Sequence, residues 1–328
     1  MRAELIERLR CPQTGSVLRL AEGAILDAAG EILEGLLISA DGGHEYPIRN
    51  GVPRFVPASN YADNFGMQWN HFSRTQLDSH SGLTVSADRF WHATNWNPGD
   101  LKGQWVLDIG CGSGRFAEVA LNAGANVVAL DYSSAVDACR ANLAGQPNLH
   151  VVQGDIYALP FEEGSFPFVY SLGVLQHTPD VAASFARLPP MVAPGGRLCV
   201  DYYRKSWRSL LLPKYWLRPI TKRVPNDKLF SGLQKVLPLL LAVSNLIGAI
   251  PVFGRTLRRI VPVANFRGEL PLTEEQHKEW ALLDTFDWLS PEYDNPQTVS
   301  AAREMIEKAG MQRIEVLQAG HLVARGVR

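Results

Sequence analysis

The stretch VLDIGCGSGRF, residues 106–116, is the most informative part of this chain of 328 residues. Its apolar start predicts a buried β-strand, and the glycine-rich turn that follows leads into a helix beginning near Arg115. Gly110, Gly112 and Gly114 allow backbone conformations that are closed to other residues and let a ligand approach the backbone closely. The stretch therefore predicts a strand, a turn and a helix arranged around a small ligand.

Three acids near the ends of successive predicted strands indicate the kind of ligand. Asp108 stands where a dinucleotide site would hold a pyrophosphate, and its carboxylate instead suits a ligand with an ammonium group. Asp131 ends the next apolar run, and an acid there can accept hydrogen bonds from both hydroxyls of a ribose. Asp155 follows the third strand and could accept from an adenine amine, while Ile156 packs on the ring. Each acid alone could be a helix N-cap or a turn residue; together they predict a small-ligand site.

The surrounding sequence predicts an α/β fold. Between residues 101 and 202, short apolar runs alternate with helical stretches, which is typical of a parallel sheet with helices on both faces. A basic and apolar helical insertion interrupts this alternation, which returns as the helix TVSAAREMIEKAG, ended by Gly310 and followed by two strands. The predicted parts are a small β-rich module at 1–57, a helical lead-in and lid at 58–100, the core at 101–202, a helical cap over the acceptor at 203–285, and the rest of the core sheet at 286–328.

Composition excludes several classes of protein. A hydrophobic content of 46% and a charged content of 20% are those of a globular protein, not of a disordered or fibrous one. The start, MRAELIERLR, lacks the apolar segment of a secretory signal. The four cysteines form no C-x-x-C pair, so we expect neither a disulfide framework nor a zinc ribbon, and a reducing, cytoplasmic setting. These cysteines are Cys11, Cys111, Cys139 and Cys199.

The insertion carries a strong positive charge that the net charge of -1 hides. Residues 202–268 contain thirteen Lys or Arg and a single acid, Asp227. This predicts contact with something anionic, and a solvated helical surface is the alternative. Within it, VLPLLLAVSNLIGAIPVF (236–253) is uncharged, but its prolines and glycine argue against a membrane span. With basic flanks and Trp207 nearby, it suits a helix lying on a membrane through 203–262, a buried substrate lid or a homodimer face.

Residues 101–202, and more loosely the last 35, resemble the class I S-adenosylmethionine (SAM)-dependent methyltransferases. The resemblance implies a Rossmann-like, seven-stranded, mostly parallel sheet whose last two strands form an antiparallel hairpin. It also implies SAM as cofactor and S-adenosylhomocysteine as product, with no metal. In that family the loop 108–114 cradles the methionine part, and the acid at Asp131 holds the ribose. The run YSLGVLQHTPD resembles the segment that borders the reacting methyl, which adds Ser171, Gly173 and His177 as candidates.

Site candidates follow from these patterns. His177 is the first candidate for a base, which is needed only if the acceptor carries a proton that must leave; the start of a helix is the alternative. Tyr202 and Tyr203 are predicted to face the acceptor or to pack in the core. Asp284, with Asp287 and Tyr293, belongs to a polar loop that could fold over the acceptor; a capping loop ahead of the helix at 297 is the alternative. Arg89, in the lid, could pair with the methionine carboxylate or with a surface acid. The catalytic candidates are His177, Tyr202, Asp287 and Tyr293. The cofactor-binding candidates are Asp108, Gly110, Cys111, Gly112, Gly114, Asp131, Tyr132, Asp155, Ile156, Ser171 and Arg89.

The first 57 residues, with CPQTG and YPIRNGVPRFVP, resemble a zinc-ribbon accessory domain found beside some methyltransferases. Such a domain has two C-x-x-C pairs, and only Cys11 remains here. Thr14, Ser39 and Gly42 occupy the other three ligand positions. Because zinc needs four ligands in a closed site, we expect a metal-free module held by apolar packing.

The predicted function is methyl transfer from SAM to a small-molecule or lipid-like acceptor, which the basic insertion suggests is anionic. The sequence most resembles the quinone and secondary-metabolite methyltransferases. The alternatives are an RNA or protein methyltransferase, a SAM-binding scaffold without activity, and a dehydrogenase. An N-P-P-[YF] motif, which amino methyltransferases of nucleic acids and glutamine carry, is missing where SLGVLQ stands (171–176), and this argues against RNA or protein as the acceptor. Asp108 argues against a dehydrogenase.

Overall fold

The computed structural model describes residues 1–57, 60–206 and 212–328; Trp207 lies outside them. Its strands, in chain order, are β1 (Leu18–Leu20), β2 (Ile25–Leu26), β3 (Ile32–Ser39), β4 (Glu45–Arg49), β5 (Val52–Pro53), β6 (Trp105–Ile109), β7 (Asn126–Asp131), β8 (Leu149–Gln153), β9 (Phe166–Ser171), β10 (Val192–Tyr202), β11 (Gln312–Ala319) and β12 (His321–Val327). Its α-helices are α1 (Asp63–His71), α2 (Asp78–Ser81), α3 (Val85–Thr94), α4 (Pro98–Leu101), α5 (Arg115–Asn122), α6 (Ala135–Asn142), α7 (Val181–Phe185), α8 (Pro213–Thr221), α9 (Asn226–Gly248), α10 (Gly254–Leu257), α11 (Glu274–Leu289) and α12 (Val299–Lys308).

The main sheet has seven strands in the order β11-β12-β10-β9-β6-β7-β8. Strands β6 to β10 run parallel to one another, and β12 pairs antiparallel with both β10 and β11. The predicted fold class, including the antiparallel hairpin at the end of the chain, is confirmed.

Alternation of side chains along the strands places helices on both faces of this sheet. In β7, Val127 and Ala129 belong to the core beneath α3, α5 and α6, whereas Val128 and Leu130 belong to the core shared with α7 and α12. Both faces are therefore buried, which explains why these strands read as continuous apolar runs.

The first 57 residues form a five-stranded antiparallel sheet with β3 at its centre. Its apolar side chains, such as Leu37 and Ile48, belong to the same hydrophobic core as Leu130 of β7. The Phe55 amide also donates to the carbonyl of Gln153, the last residue of β8, at 2.8 Å. The predicted β-rich module is thus packed continuously against the core domain and shares a hydrophobic core with it.

The insertion is helical, as expected, but its second boundary is different. Helix α11 runs to Leu289, so the predicted boundary at residue 285 falls inside a helix. A capping box fixes the start of this helix: the Gln276 amide donates to the Thr273 hydroxyl at 3.2 Å, and the Thr273 amide donates to the Gln276 side chain at 3.0 Å. The T-x-x-Q spacing in the sequence could have identified this start. Helix α9 packs against α11 through the buried faces of both.

Candidate active site

A cavity of about 710 Å³ lies at the carboxyl ends of the parallel strands. Open α/β sheets bind their ligands at this edge. Residues at or just after the ends of five strands line it: Ile109, Leu130, Gly154, Leu172 and Tyr203. Other parts of the wall come from α1, α3, α5, the insertion and the turn between β11 and β12. The cavity therefore brings the predicted cofactor loop and the insertion to one place.

The glycine loop forms part of the cavity wall, and its backbone needs glycine. Gly112 has a φ of +53°, and a Cβ there would lie 3.3 Å from the Trp69 ring, which covers the loop from α1. Gly110 has a φ of +82°, and a Cβ there would lie 2.4 Å from the Val174 side chain. A side chain at either position would be strained and would displace its neighbour. The close approach of Trp69 was not visible in the sequence, although α1 was predicted to be a lid.

Asp131 lines the cavity at the tip of β7. One carboxylate oxygen accepts from the Gly112 amide at 2.9 Å, and the other accepts from the Ser133 amide at 2.8 Å and from the Ser133 hydroxyl at 2.7 Å. Burial raises the pKa of Asp131, and the hydrogen bonds from Ser133 oppose this. A carboxylate has about four acceptor positions, so capacity remains for a ribose hydroxyl.

Asp108 does not line the cavity, contrary to the expected contact with an ammonium group. It is 2% exposed within β6, and burial raises its pKa to about 8. The backbone of the next residues, Ile109 and Gly110, forms the wall instead. An aspartate inside a sheet covered on both faces is shielded from the cavity, and the sequence alone did not show which side of the strand it takes.

Only part of the predicted adenine site is on the cavity wall. Ile156 lines the cavity. The Asp155 side chain is outside the wall and accepts from the Tyr157 amide at 2.9 Å, which is the turn role that the sequence left open. Tyr132 lines the cavity, and its ring centroid is 5.0 Å from that of Tyr61, a lid residue that the sequence analysis missed.

Two arginines line the cavity beside the glycine loop. Arg89 forms a 2.8 Å ion pair with Asp201 in β10. Burial would raise the pKa of Asp201, but the nearby Arg89 and His321 lower it overall. Arg115 is the second cation, and burial together with the charge of Arg89 lowers its pKa to about 9. The cavity thus offers positive charge to an anionic group, and Arg115 was anticipated only as the start of a helix.

His177 lines the cavity in a 3-10 turn, Leu175–His177, and is 7% exposed. Its Nδ1 lies 3.0 Å from the carbonyl oxygen of Tyr293. A carbonyl only accepts, so in the neutral ring the proton is on Nδ1 and the lone pair is on Nε2. The arrangement leaves Nε2 able to take a proton. The Tyr293 ring packs on Tyr61 and is outside the cavity wall, so Tyr293 contributes its carbonyl only.

Asp284 and Asp287 line the cavity from helix α11, not from the loop that was expected. The Tyr203 hydroxyl donates to Asp287 at 3.2 Å, and the Gln68 side chain of the lid donates to it at 3.3 Å. Asp284 accepts from the Gln76 side chain at 3.3 Å. Burial and the neighbouring Asp287 raise the pKa of Asp284 to about 7. These acids therefore join the lid to the insertion across the cavity.

Tyr202 and Ser171 do not reach the cavity. Tyr202 is fully buried with Leu198 and Val200 in the core beneath β10, and Tyr203 faces the cavity instead. The period-two alternation of β10 could have predicted this, because residues 198, 200 and 202 share a face. The Ser171 hydroxyl donates to the Ile109 carbonyl at 2.9 Å and ties β9 to β6. Cys111, by contrast, does line the cavity.

In the N-terminal module, the Cys11 thiol lies 3.1 Å from the Tyr46 hydroxyl. The Ser39 hydroxyl donates to Asp41 and accepts from the His44 amide. Across the part of the chain that the structure describes, no group of three or more His, Cys, Asp or Glu side chains is arranged to hold a metal. The metal-free module remains a prediction.

Residues 107–200 match the family model described as a methyltransferase domain. They run from β6 into β10 and include the glycine loop and Asp131. This part of the chain is therefore a methyltransferase domain, which agrees with the family that the resemblance named.

Three curated relatives share this part of the chain. A malonyl-[acyl-carrier protein] O-methyltransferase of Erwinia billingiae is 32% identical over 48% of this chain and 64% of that protein. A ubiquinone biosynthesis O-methyltransferase of Aromatoleum aromaticum is 32% identical over 38% of this chain and 55% of that protein. A sterol 24-C-methyltransferase of Saccharomyces cerevisiae is 33% identical over 40% of this chain and 35% of that protein. The chain thus spans 35% to 64% of the length of these relatives.

Among solved structures, the magnesium protoporphyrin IX methyltransferase of Synechocystis with bound S-adenosylhomocysteine aligns with a TM-score of 0.44 and 16% identity. The alignment covers 82% of this chain and 96% of that chain.

Proposed function

We propose that this protein transfers a methyl group from SAM to a small-molecule or lipid-like acceptor and acts in the cytoplasm. The observation that carries the proposal is the single cavity that joins the glycine loop and Asp131 to the walls of the insertion. The related enzymes are named for ubiquinone biosynthesis, a sterol and malonyl-[acyl-carrier protein], which supports a small-molecule acceptor. The four cysteines are free and buried, which supports a reducing compartment.

The residues on the wall suit SAM. Asp131 keeps acceptor capacity for the ribose, Ile156 offers an apolar surface to the adenine, and the glycine loop lets the ligand approach the backbone. Arg89 and Arg115 supply positive charge for the methionine carboxylate. When bound, SAM supplies a methyl group on a positively charged sulfur. The protein then has to orient the acceptor and keep water out, and Trp69 and the rest of α1 cover the loop for that purpose.

The opposite part of the cavity suits an acceptor with both apolar and anionic groups. Val261 and Leu270 of the insertion supply apolar wall, and Trp280 extends it from α11. Arg259 supplies positive charge at the same wall, where Lys214 forms a 3.1 Å ion pair with Asp294. A lipid-like acceptor that carries an acidic group would match both properties.

His177 is the group that we assign to proton transfer. If the acceptor is a hydroxyl, its proton would move to Nε2 as the methyl group is transferred, and the Tyr293 carbonyl, 3.0 Å from Nδ1, would accept from the Nδ1–H of the resulting cation. If the acceptor carries no proton, His177 only shapes the cavity, and its substitution will have a small effect.

The test combines binding with product detection. Purified protein is titrated with S-adenosylhomocysteine by calorimetry and is then incubated with metabolite and lipid extracts and SAM that carries a deuterated methyl group. We expect micromolar or tighter binding and at least one extract compound that gains the labelled methyl by mass spectrometry. The proposal is wrong if the protein does not bind S-adenosylhomocysteine, or if it binds and no extract supports labelled product.

A further inference from the structure

The insertion carries most of the exposed large hydrophobic side chains in the described part of the chain. Of the fifteen large hydrophobic side chains that are exposed among the described residues, eleven lie between positions 216 and 260. Isolated exposed apolar residues are normal, but a concentration of this kind marks a surface that meets a membrane or another molecule.

Helix α9 is apolar on two faces. Its inner face, which includes Leu233, Leu237 and Leu241, is buried against α11 and the segment after α10. Its outer apolar residues recur every three or four positions and so share one side of the helix. With the exposed residues of the segment that follows, they form what we call the outer stripe: Val236, Leu239, Val243, Leu246, Ile250, Val252, Phe253, Leu257 and Ile260. Leu239 is 67% exposed, and Leu246 is 75% exposed.

Basic side chains stand at both ends of the outer stripe. Residues 212–262 contain nine Lys or Arg and one acid. Lys228 and Lys235 are both exposed and lie seven residues apart, and Lys235 precedes Leu239 by four, so both lie on the side of α9 that carries the stripe. Arg255 and Arg259 are exposed on either side of Leu257 at the other end. The outer stripe is therefore an apolar surface with cations at both of its ends.

The positive charge beside the outer stripe indicates which kind of partner the stripe binds. In a two-fold dimer the same surface faces itself, so the cations of one copy would meet those of the other. By length and composition, helix α9 could cross a membrane. A crossing would, however, break the contacts of its buried leucines with α11. A surface of anionic lipid matches both the apolar stripe and its flanking cations, because acyl chains contact the outer stripe and anionic headgroups bind the cations.

We propose that the outer stripe and its flanking cations dock this protein on anionic membrane surfaces, with α9 lying in the interface. Val261, Pro262 and Val263, which directly follow the stripe, line the cavity. The docked surface and the cavity wall are therefore continuous along the chain. The docking does not depend on the proposed methyl transfer.

The experiment is flotation of the full-length protein with phosphatidylcholine vesicles, with and without phosphatidylglycerol. We expect binding to the vesicles that contain phosphatidylglycerol, and weak binding to the others. The variant Leu239→Gln/Leu246→Gln should lose about tenfold or more of the partition coefficient, because two anchoring side chains no longer favour the interface. The matched control is Ile25→Gln/Leu26→Gln, which changes two side chains of 59% and 54% exposure on the N-terminal sheet and should bind as the unchanged protein does.

A second pair of variants tests the charges. Lys228→Gln/Lys235→Gln should lose about fivefold for each lysine removed, and only on the anionic vesicles. The control Arg187→Gln/Lys278→Gln removes two exposed cations elsewhere and should leave binding unchanged. Circular dichroism and calorimetric titration with S-adenosylhomocysteine on each variant verify that the fold and the cofactor site are intact.

Three results of the vesicle experiment would overturn the docking proposal. They are no binding to anionic vesicles, equal binding with and without phosphatidylglycerol, and full binding by the Leu239→Gln/Leu246→Gln variant. A dimer in sedimentation velocity that this same variant dissociates would also overturn it, because a second copy would then cover the stripe. Vesicle binding without methyl transfer would leave the docking intact and count against the proposed function alone.

Discussion

Replacing Asp131 by alanine tests the cofactor site most directly. The carboxylate lines the cavity at the tip of β7 and is the acceptor that we assign to a ribose hydroxyl. A hydrogen bond to a buried charged group is worth about 1.5 to 3 kcal/mol. Because three of about four acceptor positions are taken within the protein, one such bond is lost, and the affinity for S-adenosylhomocysteine should fall by about 10- to 10²-fold.

The substitution also removes three hydrogen bonds within the protein, from the Gly112 amide and from the amide and hydroxyl of Ser133. Ser133→Ala is therefore the matched control. It removes the hydroxyl bond of 2.7 Å but leaves the carboxylate in place, held by the Ser133 amide at 2.8 Å. The control should lose less than about tenfold in affinity.

Calorimetric titration of both variants with S-adenosylhomocysteine, after circular dichroism has established that each is folded, gives the comparison. The reasoning fails if Asp131→Ala binds with the affinity of the unchanged protein. It also fails if the two variants lose affinity equally, because the loss would then come from the loop and not from the ribose.

The other predictions concern the proton acceptor, the acids of α11, the glycine loop and the metal content. For an acceptor with a hydroxyl, His177→Ala should lower kcat by about 10² to 10⁴ with unchanged S-adenosylhomocysteine affinity, and a normal kcat would remove His177 from proton transfer. Burial raises the pKa of Asp284 to about 7 from an unfolded value of 3.8. The folded state therefore keeps this proton to a higher pH than the unfolded state does, and the contribution of Asp284 to the free energy of unfolding falls as the pH rises from 3.8 to about 7. In urea unfolding across this pH range, the free energy of unfolding of Asp284→Asn should depend less on pH than that of the unchanged protein, whereas the exposed control Asp88→Asn should behave as the unchanged protein does. An unchanged slope for Asp284→Asn would contradict the raised pKa. Gly112→Ala, at a φ of +53° and 3.3 Å from Trp69, should weaken S-adenosylhomocysteine binding about tenfold, and full affinity would show that the loop tolerates a side chain. Elemental analysis should find no zinc retained after dialysis, and one bound zinc per chain would refute this.

Regular patterns made most of the fold predictable. The alternation of apolar runs and helices from 101 to 202 gave the parallel sheet, and the helix ended by Gly310 gave the closing hairpin. Local signals would have improved two predictions. The T-x-x-Q box indicates that a helix, and not a loop, begins at Thr273 ahead of Asp284, and strand alternation decides for the core between the two positions left open for Tyr202.

The candidate site was less predictable because its contacts join distant parts of the chain. Gln68 reaches Asp287 across 219 positions, and Trp69 covers Gly112 only because α1 folds back over the loop. A single sequence carries no local signal for such contacts. The roles assigned to individual side chains of this site therefore remain proposals, and the variants above address them.

The way the N-terminal sheet meets β8 has a practical consequence for the solubility of shortened forms of the protein. Strand β8 is the last in the main sheet, and all five of its residues are buried. An uncovered strand of this kind presents unpaired backbone groups and apolar side chains that recruit strands from other molecules. Residues 1–57 protect the edge, with the Phe55 amide bonded to Gln153 at 2.8 Å. A chain shortened to begin at residue 58 would therefore be prone to aggregation even with every cofactor-site candidate retained.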